Sequence, residues 1–176
     1  MINITQYLQD IYEDLQRYID NDVCLCKFKE LNFEAGALPD YEDINIQQLY
    51  LLRYAFAYAF EYSRMYLDVL SQMDDVNNIS VISVGCGSMI DYWSLVHALE
   101  MRRKIGCSIR YVGIDKIDWN YKIPKRQNDE VHYLIGNAAD IFTNNSQFIS
   151  DVYFFPKSIS EFSDCELNAM ANSFSS

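Results

Sequence analysis

The apolar positions along the chain follow a helical period first and a strand-like one later. Ile4, Leu8, Ile11, Leu15 and Tyr18 recur at alternating spacings of four and three, which predicts an amphipathic helix over residues 4–20 with Asn3 or Thr5 as its cap. Asn21 and Asp22 break that pattern. Val23 to Phe28 reads as a short extended piece, followed by an acidic loop from Glu34 to Asp43 that contains Gly36 and Pro39. From about Ile46 to Met73 there is neither Gly nor Pro, so a second, much longer helix is expected, capped by Asp43 or Asn45. Its expected apolar face is Leu49, Leu52, Phe56, Phe60, Leu67 and Leu70. Tyr50, Tyr54, Tyr58, Tyr62 and Tyr66 recur every fourth residue; four residues turn the chain by roughly 400°, so this row drifts by about 40° per step and cannot all face one partner.

Beyond residue 78 the pattern changes to short apolar runs. Ile79 to Val84 is β-branched and uncharged apart from its serines, as a buried parallel strand should be, and it runs into Gly85-Cys86-Gly87. Met89 to Lys104 reads as a helix with Tyr92, Leu95, Val96 and Leu99 toward a sheet. Further strands are expected at Ile109 to Ile114, ending on Asp115, at Val131 to Ile135, running into Gly136-Asn137-Ala138-Ala139-Asp140, and at Asp151 to Phe155. Ser163-x-x-Glu166 is a capping box that starts a helix through about Ala171. Strands alternating with helices predict an α/β fold with a Rossmann-like parallel sheet, in which ligands sit beyond the carboxyl ends of the strands. The expected division is residues 1–43, a helix and acidic loop, and residues 44–176, the long helix and the α/β core.

Composition narrows the function. With 176 residues, half of them hydrophobic, the chain can bury a single core. A formal net charge of −11 disfavours a nucleic-acid partner, because phosphate binding needs clustered Lys and Arg. The strip Arg102-Arg103-Lys104 reads more simply as cations at a helix C-terminus. The five cysteines are scattered and lack a paired C-x-x-C, which fits reduced thiols and a cytoplasmic location; Cys24-x-Cys26 has no second ligand pair, so no metal is expected. No run is long and apolar enough to suggest a membrane span.

A glycine loop after the first strand, an acid after the second and a Gly-Asn-Ala-Ala-Asp turn after the third occur in the order of the class I S-adenosylmethionine-dependent methyltransferases, which Ile79 to Phe162 resembles. The resemblance implies S-adenosyl-L-methionine as cofactor, with Gly85, Cys86 and Gly87 near its methionine part, Asp115 on the ribose hydroxyls and Asp140 on the adenine amino group; Asn137 and Ala138 complete that turn. Asp91 either serves its helix dipole or reaches the ligand's amino group, and Trp119 either stacks on the adenine or plugs the core. Phe155, Pro156, Lys157 and Ser158 stand where a substrate would approach, with Tyr54, Tyr58 or Tyr62 over the cleft. The catalytic residues are not assignable, since methyl displacement needs alignment more than an obligatory nucleophile.

The chain departs from the family pattern at Ser83, where an acid is usual, at Met89, where a third glycine is usual, at Asn137, where Asp is common, and at Phe155-Pro156-Lys157-Ser158, which lacks an Asn/Asp-Pro-Pro-Tyr signature. Four strands are expected against seven in the family. The fourth would be a hydrophobic edge covered by the remainder of a longer protein, a second copy or the N-terminal helices. The acceptor is then a small molecule or a protein, and the alternative is a non-catalytic module of the same fold that binds a nucleoside or a protein partner.

Overall fold

A computed structural model describes residues 3–19, 39–73, 76–144 and 149–174. Val23 to Phe28, the two N-terminal cysteines and the first half of the acidic loop lie outside the described residues.

Among the described residues, four parallel strands form one sheet. They are β1 (Asn78–Val84), β2 (Ser108–Asp115), β3 (Glu130–Ile135) and β4 (Val152–Phe154), in the order β3-β2-β1-β4. The strand order reverses between β1 and β4, and such a reversal opens a crevice at the carboxyl edge of an α/β sheet. In register, Ser83 pairs with Gly113 and Phe154, and Gly113 with Tyr133. This is a Rossmann-like α/β fold.

Helices α1 (Ile4–Ile19), α2 (Ile44–Ser71) and α3 (Ile90–Met101) contribute to one core with β1 and β2. The short α4 (Ala138–Asn144) and α5 (Asp164–Phe174) form a second core with Ile82, Val84 and Ile114. The first helix is capped by Asn3, whose Oδ1 accepts from the Thr5 and Gln6 N–H groups at 3.0 and 3.2 Å. Asp43 caps α2 by accepting from Asn45 N–H at 2.8 Å. The capping box closes in both directions, with Ser163 N–H donating to Glu166 at 2.9 Å and Glu166 N–H to Ser163 Oγ at 3.3 Å.

The expected apolar face of α2 is corrected. Leu49 and Leu70 are buried, but Phe56 and Phe60 are exposed, Phe60 by 80%. The face turned inward is instead Leu51, Ala55, Ala59, Tyr62, Ser63, Tyr66 and Leu70. Small residues let α3 come close enough for Ser94 Oγ to donate to the Ala59 carbonyl at 3.2 Å, an approach a phenylalanine stripe would prevent. Phe60→Ser is therefore expected to change the free energy of unfolding by no more than about 0.5 kcal/mol in a urea titration.

The tyrosine row drifts as its spacing requires. Tyr50, Tyr54 and Tyr58 are half-buried, whereas Tyr62 and Tyr66 are buried and pack on Phe154 of β4 at 5.2 and 4.9 Å between ring centres. Helix α3 starts one residue later than its pattern suggests, because Met89 is left-handed at φ 68°. It ends at Met101, and Arg102-Arg103-Lys104 forms the turn after it. The turn after β3 continues directly into α4, which the sequence pattern did not reveal.

Candidate functional site

The glycine loop is built from β1 outward. Gly85 and Cys86 donate their N–H groups to the Ile114 carbonyl at 2.8 and 3.2 Å, which ties the loop to the end of β2. Gly85 and Gly87 have φ of +73° and +52°, values that favour glycine. Gly87 N–H donates to Asp115 Oδ2 at 2.7 Å, and Ile117 N–H to Asp115 Oδ1 at 3.0 Å. The acid after β2 is thus fixed against the loop after β1.

A second layer holds the segment after β2 in place. Ile123 N–H donates to the Ser88 carbonyl at 2.9 Å, and Tyr133 Oη to the Gly87 and Ile117 carbonyls at 3.2 and 2.9 Å. From α2, the buried Gln47 accepts from Asn120 N–H at 2.9 Å and donates to the Tyr41 carbonyl at 2.8 Å. These bonds bring Tyr41 and Trp119 together, with ring centres 5.6 Å apart, and the Trp119 indole lies against Gly87.

Between these parts lies a cavity of about 360 Å³ at the carboxyl edge of the sheet. Its wall includes Gly85, Cys86, Gly87, Asp91, Asp115, Trp119, Ala138, Tyr58, Tyr62, Pro156, Lys157 and Ser158, all expected from the sequence. It also includes Tyr41, Tyr50, Ser88, Lys116, Glu161 and Phe162, which sequence reasoning did not assign to the site. Tyr50 carried a signal as the first member of the tyrosine row, and Lys116 as the neighbour of Asp115. Tyr41 and Glu161 carried none, because only the fold brings their loops to the cleft.

Four expected residues stand outside the wall. Asn137 accepts from Ala139 N–H at 2.9 Å and donates to Glu166 at 3.2 Å, so it is engaged in capping α4 and joining it to α5. Asp140 is exposed in the first turn of α4. Tyr54 stacks behind Tyr58 at 5.6 Å, and Phe155 packs edge-on against Phe162 at 6.4 Å.

The electrostatics of the wall are distinctive. Asp91 is wholly buried, and burial pushes its carboxyl up to about 6 against the opposing effects of the Ser83 and Tyr111 hydroxyls and the first-turn N–H groups of α3. Asp115 is raised by burial, with the Ile117 and Gly87 N–H groups holding it back, and Glu161 is raised by burial and by Asp115. Burial also raises the Cys86 thiol, which therefore stays protonated. Lys157, left-handed at φ 61°, pairs with Glu61 of α2, its ammonium 5.8 Å from the centre of the Tyr58 ring. Three carboxyl groups and several aromatic rings thus face two lysines, one of them already paired outside the wall. Such a wall favours a cationic ligand with a flat aromatic part.

Among the described residues, no helix is long and apolar enough to cross a membrane, and no cluster of three His, Cys, Asp or Glu side chains could hold a metal. No family model matches the sequence, and no curated protein matches it. Among solved structures, the crystal structure of MnmC2 from Aquifex aeolicus is similar over 70% of this chain and 47% of that one, with 13% identity and a TM-score of 0.42. The present chain thus spans about half the length of that neighbour.

Proposed function

We propose that the chain binds S-adenosylmethionine in the cavity at the carboxyl edge of the sheet and transfers its methyl group to a small molecule or a protein. The observation that carries this reading is the union, around one cavity, of the glycine loop, the acid after β2 bonded to that loop, and an aromatic, acid-rich wall. Cofactor and wall fit chemically. Asp115 would accept from ribose hydroxyls, Gly85 to Gly87 and Ala138 leave room beside it, and Trp119 or Tyr58 would offer a face to the adenine. The bound cofactor supplies an electrophilic methyl on a sulfonium, and the rings and carboxylates suit that positive charge.

The same wall disfavours a dinucleotide. The N–H groups of Gly85, Cys86 and Gly87 are already committed within the protein, and the first turn of α3 is faced by its own Asp91. A pyrophosphate would need those donors and would meet a carboxylate instead. Thermal melting tests this discrimination: S-adenosylmethionine and S-adenosylhomocysteine at about a hundred times Kd should each add about 2.7 kcal/mol of stability, and NAD none. Stabilisation by NAD with no response to the other two would overturn the reading. A nucleoside-binding module without transferase activity would bind both methionine nucleosides and methylate nothing.

A further inference from the structure

The segment between β2 and β3, residues 116–129, contains neither helix nor strand, so its backbone groups need partners elsewhere. Its middle is held by side chains from both N-terminal helices. Gln47 of α2 is fully buried; its Oε1 accepts from Asn120 N–H at 2.9 Å and Asn120 Nδ2 at 3.3 Å, and its Nε2 donates to the Tyr41 carbonyl at 2.8 Å. Tyr7 of α1 donates from Oη to the Tyr121 carbonyl at 2.7 Å. Trp119, next in sequence to these anchored residues, is only 5% exposed, with its indole against Gly87. Tyr41 and Trp119 belong to the cavity wall, whereas Gln47 and Tyr7 do not.

Packing alone does not account for an amide in this place. A methionine of similar length would fill the space without the cost of burying a polar group, but it would leave the direction of its neighbours unset. Buried polar side chains whose bonds are made fix one arrangement of the groups they join. We infer that Gln47 and Tyr7 are positioning residues: from outside the cavity they fix Asn120 and Tyr121, and so hold the rings of Trp119 and Tyr41 as a preset corner for the flat part of the ligand. For its ligand this assignment rests on the methionine-nucleoside reading above, to which it adds the two helices that prepare the site.

A loosened corner has a kinetic signature. The chain then binds only while the corner is in place, and its apparent affinity falls by the fraction of time that it is not. The loss lies in the association rate, because the bound chain has the same arrangement as before. Truncating a side chain that touches the ligand acts mainly on dissociation instead.

Trp93 and Trp119 are the two tryptophans of the chain, so Trp93→Phe leaves Trp119 as the reporter. In that background Tyr7→Phe removes one hydroxyl and keeps the ring, which should leave the chain folded, and Gln47→Met removes both bonded arms at similar length. Each should raise the quenching of Trp119 by acrylamide. Each should also weaken S-adenosylhomocysteine by about five- to tenfold, read by stopped flow as slower association. Gln47→Glu keeps an oxygen for Asn120 and should restore the low quenching. Unchanged quenching in Tyr7→Phe and Gln47→Met, raised quenching with unchanged affinity, or a loss carried by faster dissociation would overturn the assignment. If folded wild-type chain binds no nucleoside, the methionine-nucleoside reading fails, and quenching alone then decides whether the two helices position Trp119.

Discussion

Arg126→Ala is expected to destabilise the fold by about 3 kcal/mol, measured by urea unfolding at pH 7. Asp129 has a fully buried side chain and accepts from Tyr92 Oη at 2.6 Å, from Arg126 Nε at 2.7 Å and Nη2 at 2.8 Å, and from Ile109 N–H at 3.1 Å. Arg126 Nη2 also donates to the Cys107 carbonyl at 2.9 Å. Truncating the guanidinium leaves a buried carboxylate with only neutral donors, the situation in which breaking an ion pair costs about 3–5 kcal/mol. The lower end applies because the Arg126 side chain retains 18% exposure. Burial raises the Asp129 pKa, but the Arg126, Tyr92 and Ile109 hydrogen bonds outweigh it and the net shift is downward. Its contribution is therefore present above the unfolded carboxylate value near 3.9 and is lost as pH falls through the lower folded value. The Arg126→Ala penalty should shrink accordingly in strong acid.

Gly85→Ala should cost about 2 kcal/mol or more and weaken nucleoside binding at the same time. At φ +73° an L-residue is strained by about 1–2 kcal/mol, and the added Cβ would fall well inside contact distance of Ser158 Cβ. Ser158 cannot easily yield, because it is buried and its hydroxyl donates to the Val84 carbonyl. The double variant Gly85→Ala/Ser158→Gly removes the steric overlap but not the backbone strain, so it should recover part of the binding loss. A fully additive pair would contradict the close approach of the two loops.

These two sites differ in how visible they were beforehand. The strand, glycine loop and helix start from Ile79 to Asp91 were legible, because an uncharged β-branched run followed by paired glycines has few other structural meanings. The parallel sheet followed from helices alternating with apolar runs, whereas that alternation does not set the spatial order β3-β2-β1-β4. The Arg126–Asp129 pair was not legible: its partners Tyr92 and Ile109 lie on α3 and β2, and three residues of spacing outside a helix signals nothing.

On α2 the pattern misled. A helix with apolar residues on several sides does not reveal which side its neighbour prefers, and hydrophobicity ranks Phe60 above Ala59. Close packing against α3 reverses that ranking. The sequence pattern places Asn137 and Asp140 in a turn after β3. The chain instead enters α4 at Ala138, which makes Asn137 its cap and carries Asp140 to the outer surface. Glu161 and Tyr41 joined the site through loops whose sequences give no sign of where they fold.

The most direct test of the central claim is calorimetric titration of the 176-residue chain with S-adenosylmethionine, beside Asp115→Ala. That substitution removes the acceptor for Gly87 and Ile117 N–H and the group expected to meet the ribose. Micromolar binding by the wild-type chain is expected, with a loss of at least about a hundredfold in a variant that still melts cooperatively. Wild-type binding that survives unchanged in Asp115→Ala, or its absence in well-folded chain, would contradict it.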